Sequence, residues 1–238
     1  MIKTPVVFFT GAGISVGAGL LTYRGAGGMY TDGEMPVLNE EDGTEKNVHK
    51  IWEHIDTISG GNIQPSRAHK AISNYAKKHP RQVSVITQNI DGLHETSAGR
   101  EKTDEKIWAV HGSAWRTRCL NENCGEKNNS NNAARDKQNI PICTHCGTRL
   151  RPDIVLFGEN LPEDVYINAQ KDIENAATVV IVGTGLEVAP ASQLLYAASK
   201  ADIIWVNPDY PPGWLLRIGK TLQTEYGPAD EKLPKILA

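Results

Sequence analysis

Four cysteines in two close pairs are the plainest chemistry-bearing residues of this 238-residue chain. Four residues separate Cys119 from Cys124, two separate Cys143 from Cys146, and eighteen lie between the pairs. Two knuckles at that separation match a tetrahedral four-thiolate zinc site. Gly125 and Gly147 each follow the second cysteine of a pair, where a tight turn lets backbone N–H groups approach sulfur. The other reading, two disulfides or unrelated thiols, suits an oxidising compartment, whereas close pairs in a reducing one point to metal. Four thiolates leave zinc no open position, so the metal is expected to be structural, one ion per chain. His145, inside the second knuckle, reads as an exposed spacer.

Three further constellations could carry chemistry. Gly11-Ala12-Gly13-Ile14-Ser15 follows an apolar run and opens a helical stretch. Glycines there let the backbone approach a pyrophosphate, whose charge the helix N–H groups favour. The dinucleotide fingerprint asks for a third glycine where Val16 stands, so a mere tight turn is the competing reading. Tyr23-Arg24-Gly25-Ala26-Gly27-Gly28 then offers an arginine, an aromatic ring and a second glycine cluster, which suits a loop folding over a nucleotide. Gln88, Asn89 and Asp91 form an amide-rich wall with one carboxylate, able to orient a carboxamide or ribose hydroxyls; an Asx-stabilised turn is the bland alternative. His111, before Gly112, is the histidine best placed to serve as a general base near neutral pH. His94 reads as a helix-face residue, and His49, His54, His69 and His79 have no comparable setting.

Those residues need a scaffold that gathers them. Val6–Phe9, Val83–Ile86, Val179–Val182 and Ile203–Val206 are near-continuous apolar runs, as strands buried on both faces require, and Ile107–Val110 is a shorter one. Helices are expected from an N-cap at Ser66 towards Lys78, over roughly Glu163 to Ala177, and over Ala189 to Ser199. The alternation implies an α/β fold with a doubly wound parallel sheet. Ligands of such sheets bind beyond the carboxyl ends of the strands, where the glycine turn, Gln88–Asp91, His111, Gly183-Thr184-Gly185 and Asn207-Pro208-Asp209 all fall. Residues 33–77 are read as a helical insert and 118–152 as a zinc-binding module, leaving 1–32, 78–117 and 153–238 for the large domain. A net charge of −3 gives no basic footprint, which argues against direct nucleic-acid binding. No apolar run spans a bilayer, and the N-terminus lacks the features of a signal peptide, so a cytoplasmic protein is expected.

Together these motifs resemble the sirtuin family over nearly the whole chain. Gly11–Ser15 with Tyr23-Arg24-Gly25 resembles its first signature, Thr87–His94 its second, and Val110-His111-Gly112 its catalytic histidine. The cysteine pairs are similar to its zinc ribbon, Val155–Glu159 to its peptide-binding segment, and Gly183–Leu186 with Val206-Asn207-Pro208 to its adenosine loops. Gly227-Pro228-Ala229 with Leu233-Pro234 is similar to its closing segment. The resemblance implies a Rossmann-like large domain, a smaller zinc-ribbon plus helical module, and substrates bound between them. It implies NAD-dependent removal of acyl groups from protein or peptide lysines, giving nicotinamide, free lysine and O-acyl-ADP-ribose. His111 would be the general base on the ribose hydroxyls; Asn89 and Asp91, with Gln88 and Ile90, would form the nicotinamide pocket. Gly11, Ala12, Gly13, Ser15, Arg24, Gly183, Thr184, Gly185, Asn207, Pro208, Asp209 and Ala229 would hold the nucleotide, and Tyr23 would shield its reactive C1′. Val155, Phe157 and Gly158 would lie along the substrate backbone, which could join as an added strand.

Departures from the family pattern also inform. Tyr23 stands where phenylalanine is usual, keeping the ring and adding a hydroxyl, and Gly185 stands where serine is usual. Members that remove succinyl or malonyl groups carry a tyrosine and an arginine in the stretch corresponding to Trp52–Gln64. Neither residue occurs there, so acetyl or another neutral acyl group is expected. The rival readings are an NAD-dependent ADP-ribosyltransferase or NAD hydrolase using the same cleft, and a non-catalytic NAD sensor. Oligomeric state has no sequence signal.

Overall fold

A strand that is apolar on every residue can be satisfied only inside a sheet covered on both sides. The computed structural model, which describes residues 2–22, 38–59, 63–98, 106–124, 127–128 and 133–238, uses the apolar runs in this way. In chain order its elements are β1 (Val6–Thr10), α1 (Val48–Ser59), α2 (Arg67–Lys78), β2 (Val83–Thr87), α3 (Leu93–Ala98), β3 (Lys106–Ala109), β4 (Gly112–Cys119), β5 (Lys127–Asn128), β6 (Leu150–Ile154), α4 (Glu163–Glu174), β7 (Thr178–Val182), β8 (Asp202–Asn207), β9 (Thr221–Tyr226) and α5 (Ala229–Ile236). Tyr23, Arg24, Gly25–Gly28, Gly60–Asn62 and Gly125 lie outside the described residues.

The large sheet is parallel throughout, in the order β3-β2-β1-β7-β8-β9. All residues of β1, β2 and β7 are buried. One face packs against Ala169 and Ile173 of α4 and against Leu194 and Leu195 of a 3-10 helix, Ala191–Ala198, found where an α-helix is expected. The other face packs against Ala68, Ile72, Tyr75 and Ala76 of α2 and Ala229 and Leu233 of α5. The α2 residues fall at helical spacing, and each fully buried Ile or Leu there contributes about 1.5–3 kcal/mol. Ser66 caps α2 as expected, its Oγ accepting from the His69 N–H at 3.3 Å.

β9 has no counterpart among the expected strands. Thr-Leu-Gln-Thr-Glu-Tyr carries one aliphatic residue, and its polar side chains are tolerated because it is an edge strand pairing with β8 alone.

A second, three-stranded antiparallel sheet, β5-β4-β6, carries the cysteines. A small core of Leu38, Ile51, Ile55, Ala114, Ile154 and Leu156 joins it to the helical insert and reaches Ile90. Packing thus groups α2 with the large sheet and β4 with the small one, a different division from the 33–77 and 118–152 blocks read from sequence.

Candidate active site

The strand order reverses between β1 and β7, and this switch point is where an open parallel sheet offers a ligand crevice. Two glycine turns meet there. An ideal Cβ on Gly11 would lie 2.6 Å from Thr184 Cβ, and one on Gly13 2.7 Å from Gly183 Cα. The Gly13 N–H donates to the Gly183 carbonyl at 2.8 Å. The glycines of the first turn therefore serve a close turn-to-turn contact as well as any approach by a phosphate. The stretch after Gly11 is a seven-residue 3-10 helix, Ala12–Ala18, rather than an α-helix. A Cβ at Gly17 would collide with the Asp230 carboxylate, which accepts from the N–H groups of Arg67 and Ala68 at the start of α2.

The polar side chains at the strand ends form two neighbouring hydrogen-bonded sets. Ser15 Oγ donates to Asp91 Oδ2 at 2.7 Å and accepts from Asn89 Nδ2 at 3.1 Å. Asn89 Nδ2 also donates to the Gly11 carbonyl at 3.2 Å, and the Leu93 N–H donates to Asp91 Oδ1 at 3.0 Å. Gln88 Nε2 reaches Thr184 Oγ1 at 3.0 Å, and Asn207 Nδ2 donates to the Thr184 carbonyl at 2.9 Å. Amide, hydroxyl and carboxylate groups at the ends of four strands, β1, β2, β7 and β8, thus converge on one rim, a donor and acceptor set that fits a nicotinamide dinucleotide. Gly185, Pro208 and Asp209 are exposed beside it, and Ala229 is buried at the start of α5.

His111 follows β3. Its Nδ1 lies 2.8 Å from the Gln88 carbonyl, which can only accept, so Nδ1 carries the proton and Nε2 is left as the basic nitrogen. Burial lowers its pKa below the ordinary value, partly opposed by the Gln88 bond, so the ring is neutral at pH 7. Gly112 takes φ +78°, and a Cβ there would collide with the Asp153 carbonyl. The His111 carbonyl accepts from the Val155 N–H at 2.9 Å, which joins the candidate base to the segment expected to meet substrate.

That segment is pinned from two sides. The Phe157 N–H donates to the Leu38 carbonyl at 3.1 Å, and its carbonyl accepts from Glu40 at 3.0 Å. Any added strand must therefore pair at neighbouring residues and not at Phe157. Phe157 is 42% exposed, and Gly158 takes φ +95°. Glu159 anchors the turn: its carboxylate accepts from Arg151 at 2.7 and 3.0 Å, from Arg118 at 3.1 Å and from the Leu156 N–H at 2.9 Å. Burial raises the Glu159 pKa, but the arginines and the Leu156 N–H outweigh it and hold the carboxyl below its ordinary value.

The cysteines come together as expected. All four Sγ atoms lie within 4.8 Å of one another, with Cys119 to Cys146 at 3.5 Å and Cys124 to Cys143 at 3.7 Å. Tetrahedral zinc with Zn–S bonds of about 2.3 Å sets its sulfurs about 3.8 Å apart, so these residues fit the ion. His145 is exposed.

Sequence reasoning missed a buried histidine pair behind the rim. His69 and His94 stack with ring centroids 4.6 Å apart, and both are buried. His94 Nε2 meets Thr10 Oγ1 at 3.0 Å. Ser66 Oγ gives its one proton to the Ile14 carbonyl at 2.9 Å, so it accepts from His69 Nδ1. His69 Nε2 is then an unprotonated atom without a hydrogen-bond partner among the described residues. The only signal in sequence was the helical spacing that puts His69 on the buried face of α2, between Ala68 and Ile72.

Comparison with known proteins agrees with this geometry. The Sir2 family model matches residues 11–190. A protein of Aquifex aeolicus (strain VF5) named NAD-dependent protein deacylase is 32% identical over 211 residues, 87% of this chain and 84% of that one. One of the same name from Thermococcus kodakarensis is 34% identical over 209 residues, 84% and 79% of the two chains. A solved Sir2 homologue in complex with NAD is 29% identical with a TM-score of 0.73, covering 99% of this chain and 89% of that one. The chain belongs to the Sir2 family.

Proposed function

We propose that this protein is an NAD-dependent protein-lysine deacylase acting on acetyl or another neutral acyl group. The observation that carries the proposal is the setting of His111. Its Nδ1 proton is committed to Gln88, its Nε2 is free to accept a proton, and its own carbonyl holds Val155 at the edge of the substrate segment. The names of the Aquifex and Thermococcus relatives support the same activity.

Bound NAD would supply an electrophilic ribose carbon from which nicotinamide departs, and the ADP-ribose that receives the acyl group. Asn89 and Asp91, already oriented through Ser15, would hold the carboxamide side of the site. His111 would take a proton from a ribose hydroxyl at Nε2, with general-base assistance worth about 10²–10⁴-fold in rate. The Val155 carbonyl and the Gly158 backbone would guide the substrate backbone, since the Val155 N–H is engaged by His111 and the Phe157 backbone by Leu38 and Glu40. Cys119, Cys124, Cys143 and Cys146 would hold one structural zinc, remote from the proton transfer. Among the described residues no helix is long and apolar enough to cross a membrane.

The test is mass spectrometry of an acetyl-lysine peptide incubated with and without NAD, alongside His111→Ala. Acetyl loss only with NAD, with O-acetyl-ADP-ribose formed and the variant inactive, is expected. NAD consumption with the peptide still acetylated would instead favour ADP-ribosyl transfer or hydrolysis.

A further inference from the structure

β4 grips the loop that carries Asn89 and Asp91, and it does so where its own pairing is broken. The strand leaves β6 after Ser113, opposite Asp153, and resumes at Thr117, opposite the adjacent Pro152. Ala114, Trp115 and Arg116 therefore bulge from the ladder. The bulge turns two donors towards the large domain, and His111, just before the strand, adds a third. His111 Nδ1 donates to the Gln88 carbonyl at 2.8 Å, the Ala114 N–H to the Ile90 carbonyl at 2.9 Å, and Trp115 Nε1 to the Asp91 carbonyl at 2.6 Å. Three of the four carbonyls from Gln88 to Asp91 are thus held by one short stretch of chain.

Trp115 is the side-chain member of that grip. Its ring lies over Gly92, whose φ is +67° and where a Cβ would meet Trp115 Cδ1 at 2.5 Å. Trp115 is 46% exposed, so burial in a core does not account for its placement. What its geometry does account for is the orientation of Asp91, held at its carbonyl by the indole and at its carboxylate by Ser15 and Leu93.

We propose that Trp115 is a positioning residue for the nicotinamide end of the site, acting through the Asp91 backbone. The proposal rests on the deacylase reading, in which the Asp91 carboxylate faces the nicotinamide. It separates two ends of one cleft: the substrate segment is tied to Leu38, Glu40 and Arg151, so loss of the indole N–H should disturb NAD and spare the peptide.

Trp115→Phe keeps a ring on Gly92 and removes the donor. Initial rates are measured with NAD, acetyl-lysine peptide and nicotinamide varied in turn, and ADP-ribose binding is followed by calorimetry. The KM for NAD and the inhibition constant of nicotinamide are each expected to rise about three- to tenfold, the worth of one hydrogen bond. The peptide KM and the ADP-ribose Kd stay at wild-type values. Unchanged NAD and nicotinamide constants would overturn the proposal. So would a parallel rise in the peptide KM or the ADP-ribose Kd, because a general loosening of the cleft would then explain the variant. Failure of the wild-type protein to release nicotinamide would overturn the deacylase reading itself, an outcome distinct from both.

Discussion

The buried pair of His69 and His94 makes stability depend on pH in a window that can be stated in advance. In the unfolded chain each imidazole takes a proton near pH 6.5. In the fold, burial pushes His69 down to about 4, although Asp91 and Asp230 pull the other way. His94, packed against His69 and Thr10, is held well below its ordinary value by burial and by its histidine neighbour. The unfolded state therefore binds more protons between about pH 4 and 6.5, and stability rises with pH across that range. It is fully present above pH 6.5 and lost on acidification. For His69 alone, linkage gives a loss of about 2 kcal/mol between pH 7 and pH 5, with His94 adding in the same direction. Urea denaturation at the two pH values, with zinc in the buffer, measures the loss in the wild-type protein and in His69→Gln. The variant is expected to lose about 2 kcal/mol less than the wild type on acidification, whatever its stability at pH 7. Equal losses in the two proteins would refute the reasoning.

The lowered pKa of His111 predicts that kcat/KM for the acetyl peptide rises with pH through a midpoint below 6.5 and is flat from there to neutrality. A midpoint above 6.5 would contradict this. Cys143→Ser, at the most buried of the four sulfurs, should reduce bound zinc from one per chain towards none by elemental analysis. Because a structural zinc contributes about 10 kcal/mol or more to its lobe, limited proteolysis should then cut within residues 118–152 while α2 and the large sheet stay intact. Glu159→Gln breaks an ion pair whose Arg151 side chain is 4% exposed and whose Glu159 side chain is 20% exposed. It should cost roughly 2–3 kcal/mol in denaturation, less than a fully buried pair, and raise the peptide KM with the NAD KM unchanged.

How legible the protein was from sequence depended on how local each signal is. β1, β2, β7 and β8 declared themselves because burial on both faces demands unbroken apolar runs, and the cysteine spacing declared the metal lobe because tetrahedral thiolates need it. β9 was illegible, since an edge strand bonded on one side accepts Gln223 and Glu225 as readily as valine. His111 could be singled out by its place after a strand, but its tautomer comes from Gln88, twenty-three residues away. His69 and His94 looked like two unrelated helix residues because their partnership is made only when α2 and α3 pack side by side. Trp115 was passed over because nothing in the sequence marks a bulge, and without the bulge it would sit in the β4 ladder, away from Asp91.

β4 begins one residue after His111 and ends at Cys119, so a single strand of eight residues runs from the candidate base to a candidate zinc ligand. That continuity sets a rule for protein engineering. A zinc ribbon grafted in from a relative by splicing at the visible border of the small sheet, near Gly112 and Ile154, would carry away the bulge and with it the donors to Ile90 and Asp91. Such a chimaera could bind its zinc in full and still hold its dinucleotide loop slack. Splice points placed after Thr117 and before Arg151 would exchange the metal-binding tip and leave the host its own grip on the loop.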